Sequence, residues 1–226
     1  MKASPAFQFL AGFVALLSLV TVAYAGGWDL ITVKDFPDFA VAGRTLELTF
    51  TVWVPSLEPL TGLHPVVRAT HAKARAVRAI AKASAAPAEY TAELILPEPG
   101  DWVIAFDTEY ESAASLPPLK VIAPGTPAPT QFSLTTRGLR LFTFKGCNGC
   151  HLHPEVKEGR LYGPDLTGKE YATEYLKRFL ADPGTTPAPE EVWSKDRSYG
   201  GSPYAMPNLN LKDAEIEALV GFITKK

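Results

Sequence analysis

Sulfur is scarce in this chain of 226 residues, which holds two cysteines and two methionines. Both cysteines fall within one stretch of four residues, Cys147 and Cys150, so no disulfide framework ties distant parts of the chain together. A charge imbalance is also absent: 22 Lys and Arg stand against 24 Asp and Glu, for a formal net charge of -2. That removes the basic field on which nucleic-acid binding or adhesion to anionic lipid depends. Beyond residue 22 no apolar run is long enough to span a membrane. Hydrophobic content of 46% and charged content of 20% sit near globular averages, which excludes a disordered or multispanning protein. At roughly 100 to 200 residues per domain, the length fits two small domains.

The long apolar run that does occur is at the start. Lys2 precedes apolar residues over 7–22, and Ala23-Tyr24-Ala25 supplies a small-x-small pattern before Gly26. This predicts a signal peptide over 1–25, export across the cytoplasmic membrane and a periplasmic or otherwise extracytoplasmic location. If retained, the same run would associate the protein with the membrane, near the lower limit of length for a span.

From 26 to 123 the pattern is that of strands. Residues 45–54 alternate and are rich in branched and aromatic side chains, as a half-buried strand requires. Shorter runs at 28–33, 65–70, 90–96 and 102–108 are separated by Gly, Pro and Asp. Together they predict a small antiparallel β-sandwich of Ig-like type. At 72–86 alanines favour helix while alternating basic and small residues suit an edge, and the expectation is an edge hairpin.

The Pro-rich segment 124–131 lacks hydrophobic periodicity and reads as a semi-rigid linker. Helical periods follow at 132–144, 172–180 and 213–224, giving an all-α second domain over 132–226. Ile216, Leu219, Val220 and Ile223 share one face of the last helix, which must therefore be buried. Pro183 ends the middle helix, and the Gly- and Pro-rich stretch to Met206 is a long loop, a feature usually tied to function. Each half is expected to own its core, with few contacts across the linker.

Cys147-Asn148-Gly149-Cys150-His151 places two thiols and an imidazole where they can bond haem vinyl groups and ligate iron. A thioredoxin-like pair would accompany a βαβ pattern and needs no histidine next to it, and a zinc site needs four ligands where only His153 lies close by. One covalent haem c is thus predicted, with His151 as the fifth iron ligand. Met206 is the only methionine left once the leader is removed, and it stands in a loop just before the last helix. Its thioether is the expected sixth ligand, and a His/Met pair raises the reduction potential relative to stronger donors.

With these residues, the segment from Arg137 onward resembles class I c-type cytochromes, small all-helical domains wrapped round one haem. Gly138-Leu-Arg-Leu-Phe142 is similar to the family's small-then-aromatic pair, where the glycine lets the first helix cross the last closely; Phe142 and Phe222 would meet at that crossing. Gly163-Pro164-Asp165-Leu166 resembles the family's proximal loop, and by that resemblance the carbonyl of Pro164 accepts the proton of the His151 imidazole. Tyr204-Ala-Met206-Pro207 resembles the methionine loop. Two departures stand out: Leu152, His153 and Pro154 follow the haem histidine where the family usually has a small residue, and the loop before Met206 holds Trp193, Tyr199 and Gly200-Gly201. Those aromatics suit haem shielding and core filling equally.

Gly43-Arg-Thr-Leu, His64-Pro65-Val66, Tyr90-Thr-Ala-Glu-Leu and Pro99-Gly100-Asp101-Trp102-Val103 resemble the YtkA-like and FixH-like sandwich family of exported proteins. Some related domains handle copper, which brings His64 and His71 into view, although surface histidines are the plainer reading. Lys73, Arg75, Arg78 and Lys82 form either a basic docking strip or a solvated edge. The combined expectation is an exported one-electron carrier or electron-entry subunit without enzymatic activity of its own. Its partners would be redox proteins such as an oxidase, a reductase or another membrane redox complex, and not nucleic acid. The alternatives are a ligand-sensing haem protein or weak peroxidase, in which Met206 leaves the iron, and an assembly or copper-delivery protein carrying a cytochrome module.

Overall fold

The computed structural model describes residues 29–54, 58–110, 114–156, 163–186 and 206–225. The leader over 1–25, Trp28, Trp193, Tyr199, Gly200, Gly201 and Tyr204 lie outside the described residues.

Strand patterning in the first half is realised as β1 (Leu30–Val33), β2 (Phe39–Val41), β3 (Thr45–Trp53), β4 (Val66–Thr70), β5 (Val77–Ile80), β6 (Lys82–Ala83), β7 (Glu89–Ile95), β8 (Gly100–Asp107), β9 (Ala114–Ser115) and β10 (Leu119–Ile122). One sheet has the order β1-β3-β7-β6, and the other the order β2-β10-β8-β4-β5 with β9 paired to β8. Alternation along β3 sends Leu46, Leu48, Phe50 and Val52 inward. From the second sheet Trp102, Ile104 and Phe106 meet them, with the rings of Phe50 and Phe106 4.6 Å apart. Two sheets thus close over one apolar layer.

The arrangement departs from a purely antiparallel one. β2 pairs with β10 in parallel, because residues 34–38 carry the chain from β1 in the first sheet to the far edge of the second. The segment 72–86 is a sheet edge, as its basic residues suggest, but not a hairpin: β5 pairs with β4 while β6 pairs with β7. The chain changes sheet at Ala81, whose small buried side chain fits the corner.

The second half contains α1 (Leu134–Phe144), a 3-10 turn at Cys147–Gly149, α2 (Thr173–Ala181) and α3 (Asp213–Ile223). Among the described residues it is only partly helical, since 150–156, 163–172 and 206–212 lie outside the helices. Ser133 caps α1 by accepting the Thr136 amide at 3.2 Å. At the crossing of α1 and α3 a β-carbon on Gly138 would lie 2.1 Å from the carbonyl oxygen of Ala218. Phe142 and Phe222 do meet there, ring centroids 5.6 Å apart. The buried face of α3 is wider than its apolar stripe, because Ala218 and Phe222 are buried with Ile216, Leu219 and Val220, whereas Ile223 is half-buried.

The two halves touch through several side chains, more than the few contacts expected across the linker. Arg140 is 7% exposed and reaches across to donate to the carbonyls of Pro118 at 3.0 Å and Pro37 at 3.3 Å. Its guanidinium lies over the rings of Phe36 and Phe132, and Phe36 packs on Phe144 at 5.6 Å. Arg137 pairs with Asp38 at 3.2 Å. These side chains come from one face of α1 and grip the segment between β1 and β2.

Candidate functional site

Gly146 opens the site. Its φ of +76° belongs to the left-handed region, and a β-carbon there would lie 2.7 Å from both the Ile31 carbonyl and a Leu30 methyl. The glycine therefore lets the chain leave α1, turn sharply and press on β1. The 3-10 turn follows, with the carbonyl of Cys147 accepting the amides of Cys150 at 3.1 Å and His151 at 2.8 Å. This turn gathers both thiols and the imidazole into a few residues of compact backbone. Neither cysteine is in a disulfide.

A second segment closes on the first. The amide of Gly163 donates to Cys150 O at 2.7 Å and that of Leu166 to Leu152 O at 3.0 Å. Pro164 thereby comes beside His151, with its carbonyl 2.8 Å from Nδ1. A carbonyl only accepts, so Nδ1 carries the proton and Nε2 keeps its lone pair. Gly163 lies flat against the ring, since a β-carbon would sit 2.4 Å from Cε1 and under 3 Å from both nitrogens. Burial pushes the affinity of His151 for a second proton below the ordinary range, and the Pro164 bond opposes that only in part. The imidazole is thus neutral, as metal ligation requires.

Burial also governs the thiols. It pushes Cys147 up to about 12, with the neighbouring Cys150 adding to the effect, and Cys150 up to about 11. Both are held as neutral thiols, unlike the thiolates of reactive disulfide exchangers. Met206 is half-buried in the stretch leading into α3 and packs against the hydrophobic core. The structure therefore brings Cys147, Cys150, His151 and Pro164 into one hydrogen-bonded unit, with Met206 on a separate segment just before α3.

Other sequence candidates find different roles. His153 is buried at the helix crossing, its ring 4.1 Å from that of Phe222, and its Nδ1 accepts the Glu155 amide. His71 stacks on Trp102 at 5.1 Å and accepts the amide of Ala74 at 3.2 Å, so it serves a turn. His64 is exposed and lies 3.6 Å from Glu109. Among the described residues no group of three or more His, Cys, Asp or Glu side chains is placed to hold a metal. What sequence reasoning missed is the surround of the turn: Lys145, Gly146 and Glu215 gave no signal beyond ordinary helix-end residues.

Residues 135–225 match the family model described as Cytochrome c. No curated protein matches the chain. Among solved structures, domains 4 and 5 of the S-layer protein SbsC match at 16% identity and a TM-score of 0.33, over 43% of this chain and 54% of that one. The chain thus spans about half the length of that structure. A conjugative transposon lipoprotein from Bacteroides eggerthii DSM 20697 matches at 11% identity and a TM-score of 0.27, over 39% and 92% of the two chains. The D00-D0 domain of Intimin matches at 18% and 0.28, over 45% and 51%. The family match over 135–225 supports a c-type cytochrome domain at the C-terminal end of this chain, a family that implies covalently bound haem c.

Proposed function

We propose that this protein is an exported, one-electron carrier or electron-entry subunit with a single haem c. The observation that carries the reading is His151 held by Pro164 O through Nδ1, beside Gly163 and within the turn that also bears Cys147 and Cys150. That donor set fits haem c: two thiols for the vinyl groups, an oriented neutral imidazole and, from the loop before α3, the Met206 thioether. When bound, haem supplies an iron centre that gains and loses one electron. The chain's part is to fix the imidazole, keep the thiols in reach of one another and enclose the site in apolar side chains. Export follows from the leader over 1–25, and redox proteins of a membrane-bound chain are the partners. The protein has no turnover of its own in this reading.

Haem should stay with the polypeptide through denaturation and acid-acetone extraction of the matured protein. Freely extracted haem would overturn the reading. Met206→His should keep a low-spin iron and lower the potential, because imidazole stabilises ferric iron better than a thioether does. Spectrum and potential left unchanged would remove Met206 from the ligand set.

A further inference from the structure

A lysine amine is almost never buried without a partner, because losing its hydration is costly. Lys145, two residues before the first haem-motif cysteine, has a side chain only 7% exposed. Its Nζ donates to the Lys34 carbonyl at 2.8 Å and pairs with Glu215 Oε1 at 3.0 Å. The other carboxylate oxygen of Glu215 accepts the Lys212 amide at 2.9 Å at the start of α3. Lys212 Nζ in turn reaches Asp35 Oδ1 at 2.7 Å. Asp35 follows Lys34 in the chain, so the contacts close a circuit that leaves the first half and returns to it one residue later. Gly146 packs on Ile31 and Leu30 beside this circuit.

We propose that Lys145 is a positioning residue that makes β1 and residues 34–38 part of the haem site, tying them to the attachment turn and to the start of α3 behind Met206. The inference rests on the haem reading above and deepens it. The first half then does more than offer a docking surface: it holds the two ligand-bearing segments in register and encloses a charge pair beside the attachment turn. Of the circuit's members, Lys145 alone is buried, and its amine touches both the first half and α3. Arg140, equally buried, reaches carbonyls of the first half and aromatic rings but makes no ion pair with α3.

The test uses the full-length, haem-loaded protein and the variants Lys145→Met and Glu215→Gln. Amide hydrogen exchange should accelerate in both 30–38 and 206–216 in either variant, with 45–53 and 89–95 unchanged. Reduction potentials should move in opposite directions. Lys145→Met leaves the carboxylate and favours ferric iron, lowering the potential, while Glu215→Gln leaves the cation and raises it. Simple loosening would move both the same way. If Lys145→Met fails to mature, Asp35→Asn opens the circuit at an exposed point and should still speed exchange in 206–216. Acceleration confined to the substituted segment, acceleration spread evenly over all strands, or potentials that shift together would overturn the inference. Absence of covalent haem would sink the carrier reading instead and leave the exchange result standing.

Discussion

Gly163 is the residue whose replacement speaks most directly to the site. A β-carbon there would overlap the His151 ring, and the ring is held in place by its Nδ1 bond to Pro164 O. Something must yield, and either the imidazole tilts or the Gly163–Cys150 hydrogen bond breaks. Gly163→Ala should cost about 1–3 kcal/mol of stability, the usual scale for overpacking, and lower the yield of covalently loaded protein. Urea unfolding and the haem-to-protein ratio would show it, and wild-type values for both would mean that the loop moves freely. Pro164 itself was legible in the sequence through its motif. The flatness of Gly163 against the ring was not, because a glycine in a loop carries no record of what approaches it.

At the scale of elements, the crossing of α1 and α3 and the contact of α3 with residues 34–38 set the second half's geometry. Gly138→Ala would drive a β-carbon into the Ala218 carbonyl, which is backbone and cannot rotate away. The helices must separate, with an expected loss of about 1–3 kcal/mol in denaturant unfolding. The Asp35–Lys212 pair makes stability depend on pH. Its hydrogen bond from Lys212 holds the Asp35 carboxyl below the ordinary carboxylate value of about 3.9. A folded pKa below the unfolded one contributes stability above about 3.9 and loses it as pH falls through the lower folded value. Asp35→Asn should therefore be less stable than the parent at pH 7, and the difference should vanish toward pH 2. A gap that persisted at low pH would show that the substitution acts through something other than the charge.

For the whole molecule, the decisive feature is that two stretches of distinct pattern meet through buried side chains. The sheets carry their own apolar layer, yet Phe36 packs on Phe144, and two cations of the second half, each under 10% exposed, spend hydrogen bonds on carbonyls of the first. A fragment beginning near Thr130 would lose those hydrogen bonds and open to water the apolar face of Phe144 that Phe36 covers. Apolar surface returned to water destabilises the folded state. The haem-loaded fragment should thus melt below the second half of the intact protein, as followed by haem-region circular dichroism. Equal melting temperatures would restore the picture of two independent domains joined by a Pro-rich spacer.

Local chemistry was written in the sequence. The Cys147–His151 spacing, the alternation in β3 and the apolar stripe on α3 each express a constraint between near neighbours, and near neighbours are what a sequence displays. The parallel pairing of β2 with β10, the change of sheet at Ala81 and the buried circuit through Lys145 join residues far apart in the chain. Arg137, Arg140 and Lys145 read in one dimension as the solvated side of a helix and its end. Only the tertiary structure supplied the carboxylates, carbonyls and rings that turn that side inward, because the desolvation of a charge is decided by what packs over it and not by its neighbours in sequence.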